Sequence, residues 1–320
     1  MCGIVGLYTK NPELENRLGA MLSDMLMEMT ERGPDSAGFA IYHEPVAQGF
    51  SKVTVLSHDA DYRWDNLIEG IKKRFGNDSS GEVHANHAVL LMQAESETFI
   101  DWLKQEHPEL GVTSSGTNIE IFKEKGSPEE VIRRFELDAM TGTHALGHTR
   151  MATESAVTTE HSHPFSTGRD LCLVHNGSLS NHNRLREKLK HEGIEFQTDN
   201  DSEVAAGYLM WCIREGATLD EALESAIIDL DGFYTFAIGS SDGFAVLRDP
   251  IACKPAVLAE TDDWVAMASE FRAISHLPGV ENAKIWEPEP AKFIAGTDIS
   301  LDKYYGLRQR QYSRSQPAFA

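Results

Sequence analysis

The chain has 320 residues, a net charge of −21 and a pI near 5.0. That length holds one large domain or two small ones with a substantial core, and 41% hydrophobic with 8% aromatic residues is ordinary for a globular protein. The acidic balance argues against nucleic acid or an anionic membrane surface as a partner, and no apolar run reaches the ~18–20 residues of a membrane-spanning helix.

Ile4 to Tyr8 is a short apolar run suited to a buried strand, and Thr9, Lys10 and Asn11 end it too soon for a secretory signal. Leu14, Leu18, Met21, Leu22, Met25, Leu26 and Met29 recur at helical steps over 13–30, and Arg32-Gly33-Pro34-Asp35-Ser36 breaks that helix before a strand over 37–42. The next block alternates helix and strand: helical at 61–76 and 95–107, a one-faced alternation from Glu82 to Leu91, and a strand over 119–122. A helix then starts at Ser127-Pro128, an N-cap serine followed by proline at the first helical position. This block, about 50–140, reads as an inserted α/β segment. Strands are expected at 143–148 and 171–175, helices at 178–192, 201–215 and 218–229, and short strands from Tyr234 to about Ile294. The tail from 297 to 320 carries Lys303, Arg308, Arg310 and Arg314 and reads as a loose end or a docking arm. Cys2, Cys172, Cys212 and Cys253 have no CxxC spacing and read as free thiols of a reducing compartment, which makes the expected location cytoplasmic.

Four places carry chemistry. Loss of Met1 would put a thiol and a free α-amine on Cys2, and an amine titrating at roughly 7.7–8.0 can serve as a general base for that thiol. Arg150, in Gly147-His148-Thr149-Arg150, offers a planar fork that could grip a carboxylate. Asn176-Gly177 at the end of a strand is either a tight turn or a pair of donors, the Asn amide and the Gly N–H, aimed at one oxyanion. In Asp199-Asn200-Asp201-Ser202-Glu203 the first aspartate reads as a helix N-cap, while Asp201 could meet a substrate ammonium. His144, His148, His161, His163 and His175 lack a convincing metal-ligand spacing, so no metal is expected.

These pieces resemble the class II glutamine amidotransferases, enzymes with an N-terminal nucleophile that hydrolyse glutamine and deliver ammonia. The likeness runs in order through Cys2-Gly3-Ile4-Val5-Gly6, Arg32-Gly33-Pro34-Asp35-Ser36, Gly147-His148-Thr149-Arg150 with Ala152-Thr153, and His163-Pro164-Phe165. It continues through Val174-His175-Asn176-Gly177, Asp201-Ser202-Glu203, Gly232-Phe233-Tyr234, Arg248-Asp249-Pro250 and Ala268-Ser269-Glu270. It implies an α+β fold, the four-layer α/β/β/α sandwich, over residues 2–296. It also implies roles: Cys2 as nucleophile, Asn176 and Gly177 as oxyanion hole, Arg150 and Asp201 holding the carboxylate and ammonium of L-glutamine, Arg32 ordering the site, and Thr153 in the substrate-binding turn. Several family members have histidine after the Ala-Thr pair where this chain has Glu154, so a contact made by that histidine does not carry over. A finer likeness is to the amidotransferase subunits of split glutamate-synthase-like enzymes, N-methylglutamate synthase among them. The resemblance then implies no cofactor in this chain and FMN with an iron–sulfur group on partner subunits that receive the ammonia. A stand-alone amidohydrolase and a catalytically silent scaffold are the other two readings.

Overall fold

The computed structural model describes residues 2–152 and 156–295 and the short strand Tyr305–Gly306. Thr153, Glu154 and most of the basic tail, including Lys303, Arg308, Arg310 and Arg314, lie outside the described residues. In chain order the first elements are β1 (Gly3–Thr9), α1 (Leu18–Glu28), β2 (Ser36–Tyr42), β3 (Ser51–Leu56), α2 (Trp64–Phe75), β4 (Ser80–His84), β5 (His87–Met92), α3 (Ser96–Glu106) and β6 (Gly111–Gly116). Next come β7 (Ile119–Lys125), α4 (Pro128–Phe135), β8 (His144–Arg150), β9 (Phe165–Gly168), β10 (Leu171–Leu179), α5 (His182–His191), α6 (Asp201–Arg214) and α7 (Leu219–Asp229). The last are β11 (Gly232–Ser240), β12 (Gly243–Arg248), β13 (Val257–Glu260), β14 (Trp264–Ala268), α8 (Phe271–Ile274), β15 (Lys284–Trp286), β16 (Lys292–Ala295) and β17 (Tyr305–Gly306).

Strand alternation sorts these into four layers. The seven-stranded sheet runs β15-β13-β14-β1-β8-β2-β7 and the six-stranded sheet β17-β16-β12-β11-β10-β9. Along β1, Val5 and Leu7 face α1 through Leu18, Leu22, Met25 and Leu26, whereas Ile4 faces the other sheet. Along β10, Leu173 faces α5, α6 and α7, whereas Cys172 and Val174 face inward to meet Ile4, Leu146, Phe244 and Val246. Because successive side chains on a strand point to opposite faces, each sheet feeds a helix layer on one side and the shared interior on the other. The result is the expected four-layer α/β/β/α sandwich, with paired strands antiparallel throughout the described residues.

The block at 50–140 divides. β3 to β6 form a separate four-stranded sheet, order β4-β5-β3-β6, whose own core joins Val53, Val55, Leu90 and Met92 to Leu67 and Ile71 of α2 and Phe99 and Leu103 of α3. β7 instead pairs with β2 along its length, and Val131 and Phe135 of α4 pack into the α1 layer, so the separate sheet spans 51–116. Glu82 to Leu91 is a hairpin rather than one strand: β4 turns at Ala85-Asn86, with Ala85 at φ 54°, and β5 returns. Apolar alternation runs unbroken through this turn and no glycine marks it, which hides it in the sequence.

Two motifs are structural. Arg248 donates to Glu287, Pro288 O, Ala252 O and Lys254 O. Asp249, fully buried, accepts from the N–H groups of Tyr234, Ile251 and Ala252, which fixes the loop after β12 against the start of β11. No helix among the described residues is long and apolar enough to cross a membrane.

Several histidines are buried without charge. Burial pushes His87 and His148 down to about 3 and His144 to about 4, and drives His163 well below its ordinary value. The unfolded chain takes up these protons near pH 6.5, the ordinary histidine value, and the folded chain takes them up only at lower pH. Between pH 6.5 and about 4 the folded state therefore binds fewer protons, so stability is full above 6.5 and falls as the pH drops. The slope is about 1.4 kcal/mol per pH unit for each histidine that stays neutral. Denaturant unfolding at about pH 7 and about pH 5 reads this loss. A phenylalanine at position 163 is expected to make the fall shallower, and equal stability at both pH values contradicts neutral burial.

Candidate active site

Three strands bring the expected residues to one end of the space between the large sheets. β1 and β8 run antiparallel with Gly3 opposite Thr149 and Ile4 opposite His148, so Cys2, the residue before β1, comes across from Arg150. Ile4 and Leu146 face the interior layer, and the two-residue period assigns Cys2 and Arg150 to the same face. On β10 the inward residues are Cys172 and Val174, and Asn176 follows two positions on. Asn176-Gly177 is therefore no turn. Both lie inside β10, opposite Thr235 and Tyr234 of β11.

The backbone around Cys2 is clamped. Ile4 donates its N–H to the Ser269 hydroxyl at 2.9 Å, and Ser269 returns its own N–H to Ile4 O at 2.9 Å. Arg32 donates through Nε to Cys2 O at 3.0 Å and through Nη1 to Glu270 Oε1 at 2.6 Å, while Arg272 holds the second Glu270 oxygen at 2.8 Å. These arginines hold the Glu270 carboxyl below the usual carboxylate range. Gly33 lets the turn after Arg32 run against the end of β8, because a Cβ there would lie 2.4 Å from Arg150 N. Asp35 then accepts the Ala152 N–H at 2.8 Å, tying the residues after β8 to the same turn.

Burial pushes the Cys2 thiol above its ordinary value. The Met151 N–H and the Arg150 charge pull it back, and Asp201 pushes it up again. The balance leaves the thiol protonated at neutral pH. Arg150 is 4% exposed and donates through Nη1 to Ala156 O at 2.9 Å. Burial lowers its pKa, opposed by Cys2, Asp35, Asp199 and Asp201, so these groups share one electrostatic neighbourhood. Asn176 is 2% exposed, and its Nδ2 is a buried donor with no partner among the described residues. Gly177 has φ 152°, and a Cβ there would meet Phe233 O at 2.1 Å, so only glycine fits beside this donor.

Asp201 opens α6. The N-cap is Asn200, whose side chain accepts from Ser202 N at 2.9 Å, and not Asp199. Asp199 points outward and pairs with His161 at 2.8 Å; the cap needs a side chain directed at the helix, and Asn200 supplies it. Arg186 donates to Thr198 O and Asn200 O, and Glu203 accepts from Gln197 N and Thr198 N, so this corner is fixed from both sides. Asp201 Oδ2 accepts the Leu179 N–H of β10 at 2.8 Å. The site thus gathers Cys2, Arg32, Arg150 and Asp201, with Asn176 and Gly177 on the strand that anchors Asp201. Thr153 lies outside the described residues.

His144 stacks on Tyr42 at 4.2 Å and His148 on His163 at 3.9 Å, and no group of three potential ligands stands together among the described residues. Reading the sequence by motif assigned no role to Asp35, Glu270, Ser202 or the His175 ring. The alternation of β10 held a signal for the last, since it turns His175 away from Asn176 and towards the helix layer. Together a thiol, a guanidinium, a carboxylate and an unpaired amide donor can hold a zwitterion and attack a carbonyl placed between them.

Residues 148–276 match a family described as a glutamine amidotransferase domain. The chain is 52% identical to the glutamine amidotransferase-like protein GlxB of Rhizobium meliloti over 91% of its own length and 96% of that protein. It is 31% identical to an amidophosphoribosyltransferase of Archaeoglobus fulgidus over 60% of its length, a match that takes in 43% of that enzyme. Among solved structures it resembles the glutamine phosphoribosylpyrophosphate amidotransferase from B. subtilis with a TM-score of 0.57 and 21% identity. That likeness covers 92% of this chain and 46% of the solved one, so the chain spans about half of that structure.

Proposed function

This chain belongs to the class II glutamine amidotransferases, and we propose that it hydrolyses L-glutamine to L-glutamate and ammonia through a thioester on Cys2. The observation that carries the reading is the buried Nδ2 of Asn176, without a partner among the described residues and on the inward face shared with Cys2 and Arg150. An amide donor left unpaired inside a protein is costly unless something forms there to accept from it, and the oxyanion of a tetrahedral intermediate does so.

In this reading Arg150 holds the α-carboxylate of glutamine and Asp201 its α-ammonium, which places the side-chain amide between Cys2 and Asn176. The thiol is protonated at rest, so a base must take its proton, and the α-amine of Cys2, freed by loss of Met1, is that base. The thiolate adds to the amide carbon, and its oxygen gains the negative charge facing Asn176 Nδ2 and the Gly177 N–H. The C–N bond breaks, the amine returns its proton to the leaving nitrogen, and ammonia departs. Water then gives one proton to the amine as its oxygen adds to the thioester carbon, and the C–S bond breaks. The sulfur takes that proton back from the amine, and glutamate leaves with its new carboxyl proton lost to solvent and the thiol restored. Arg32 keeps Cys2 in register by donating to the Cys2 carbonyl, and Thr153, outside the described residues, keeps the substrate-binding role that the family resemblance implies.

The ammonia passes to a partner chain. The match to the amidophosphoribosyltransferase leaves more than half of that enzyme outside the shared region, which supports an acceptor site separate from the glutaminase part. The partners we propose are flavin-bearing glutamate-synthase-like subunits, as in N-methylglutamate synthase, with FMN and an iron–sulfur group on them and no cofactor in this chain.

Cys2→Ala is expected to abolish ammonia release from L-glutamine with the fold intact, and intact mass of the active protein is expected to show loss of Met1. Glutaminase activity surviving the alanine, or undiminished in chains that retain methionine, contradicts the assignment. Asn176→Ala is expected to lower kcat by about 10²–10³ with a smaller change in KM, because an oxyanion donor acts where charge develops. Arg150→Lys is expected mainly to raise KM, since a point charge cannot copy a bidentate grip. Steady-state kinetics separates them, and equal effects on both constants from both variants contradict these roles.

A further inference from the structure

Both carboxylate oxygens of Asp201 are tied to β10, one directly and one through two side chains. Oδ2 accepts the Leu179 N–H at 2.8 Å. Oδ1 accepts from Ser202 Oγ at 3.3 Å, and Ser202 Oγ lies 2.8 Å from Nδ1 of His175. A carboxylate only accepts and a serine hydroxyl has one proton to give. Ser202 therefore donates to Asp201, and His175 carries its proton on Nδ1 and donates it to Ser202. That tautomer leaves Nε2 a bare lone pair, in keeping with its lack of a partner among the described residues.

We propose that His175 and Ser202 are positioning residues that fix the orientation of the Asp201 carboxylate and thereby set the preference for substrates bearing an α-ammonium. The proposal rests on the reading of Asp201 as the ammonium anchor. His175 is itself held: it meets Phe236 edge-on at 4.9 Å, and its carbonyl accepts from His148 Nε2 at 2.8 Å. Burial lowers its pKa, so a neutral ring stands 3.8 Å from Asp201. Ser202 is held by the N-cap bond from its N–H to Asn200. Two of the roughly four acceptor positions of the carboxylate are thus taken by fixed donors, and the remaining ones are offered to the ligand. The same strand that carries the Asn176 donor also aims the anchor for the other end of the substrate.

The test uses the full chain and two substrates, L-glutamine and 4-carbamoylbutanoate, which keeps the amide and carboxylate and lacks the α-ammonium. Ser202→Ala and His175→Phe are expected to raise KM for L-glutamine about tenfold with kcat within about twofold, the scale of one charge-assisted hydrogen bond, and to leave kcat/KM for 4-carbamoylbutanoate unchanged. Ser202→Thr and His175→Asn keep a donor at the same position and are expected to restore KM. In an Asp201→Asn background Ser202→Ala is expected to cost nothing further. Equal losses on both substrates, losses confined to kcat, no recovery in the conservative variants, or additivity with Asp201→Asn overturn the proposal. Failure of the unmutated chain to prefer L-glutamine instead overturns the reading of Asp201 on which it rests.

Discussion

The site depends on the antiparallel register of β1 against β8. With Gly3 opposite Thr149, residue 2 falls across from residue 150, and the two-residue period of each strand turns both side chains into the space between the sheets. A slip of β1 by one position would send Cys2 to the α1 face and leave Arg150, held by β2, facing the interior. The register is held from both sides, since β14 pairs with β1 from Val5 to Thr9 and β2 pairs with β8 from Ser36 to Arg150. The clamp of Arg32 on Cys2 O and of Ser269 on Ile4 extends this order to Cys2, the proposed nucleophile.

The second sheet supplies the remaining geometry through β10. Its inward face presents Asn176 and its outward face presents His175 to α6, while the Leu179 N–H takes Asp201. One strand therefore reaches the proposed oxyanion donor directly and the proposed ammonium anchor through the first turn of a helix. The two sheets also meet at the site, where His148 of β8 donates to the His175 carbonyl of β10. That bond sits among neutral buried imidazoles, which keeps the interior beside Cys2 polar without adding charge.

Much of this was legible before any coordinates. Apolar alternation located most strands, and the capping box at Ser127 with Glu130 confirms a helix start read from Ser-Pro. Cys2 stands out because loss of Met1 would put a thiol and an α-amine on one residue. An arginine after a strand and an aspartate at a helix start have commoner uses, and the ordered set of family motifs marks Arg150 and Asp201. The layer order could not be read from alternation alone. It rests on pairings such as Val5 with Ala268, which no local pattern encodes, and resemblance rather than periodicity indicated the sandwich. The separate sheet was drawn too long because β7 and α4 carry the same texture as the segment before them. The sequence reads Asp199 as the cap where the structure has Asn200, since both residue types cap well and only the direction of the side chain decides. The His175–Ser202 link spans a strand and a helix 27 positions apart in sequence, beyond any spacing rule.

We propose that Cys2, alone among the four cysteines, is the thiol that attacks glutamine. Cys172 and Cys212 are buried and pushed up to about 11, and Cys253 is exposed. A chloromethyl ketone analogue of L-glutamine, applied at low stoichiometry and followed by peptide mapping, tests this directly. The account predicts modification of Cys2 with a free α-amine, blocked by L-glutamine and leaving Cys253 untouched. Modification of Cys253 in preference to Cys2, or labelling of Cys2 that L-glutamine does not slow, would contradict it.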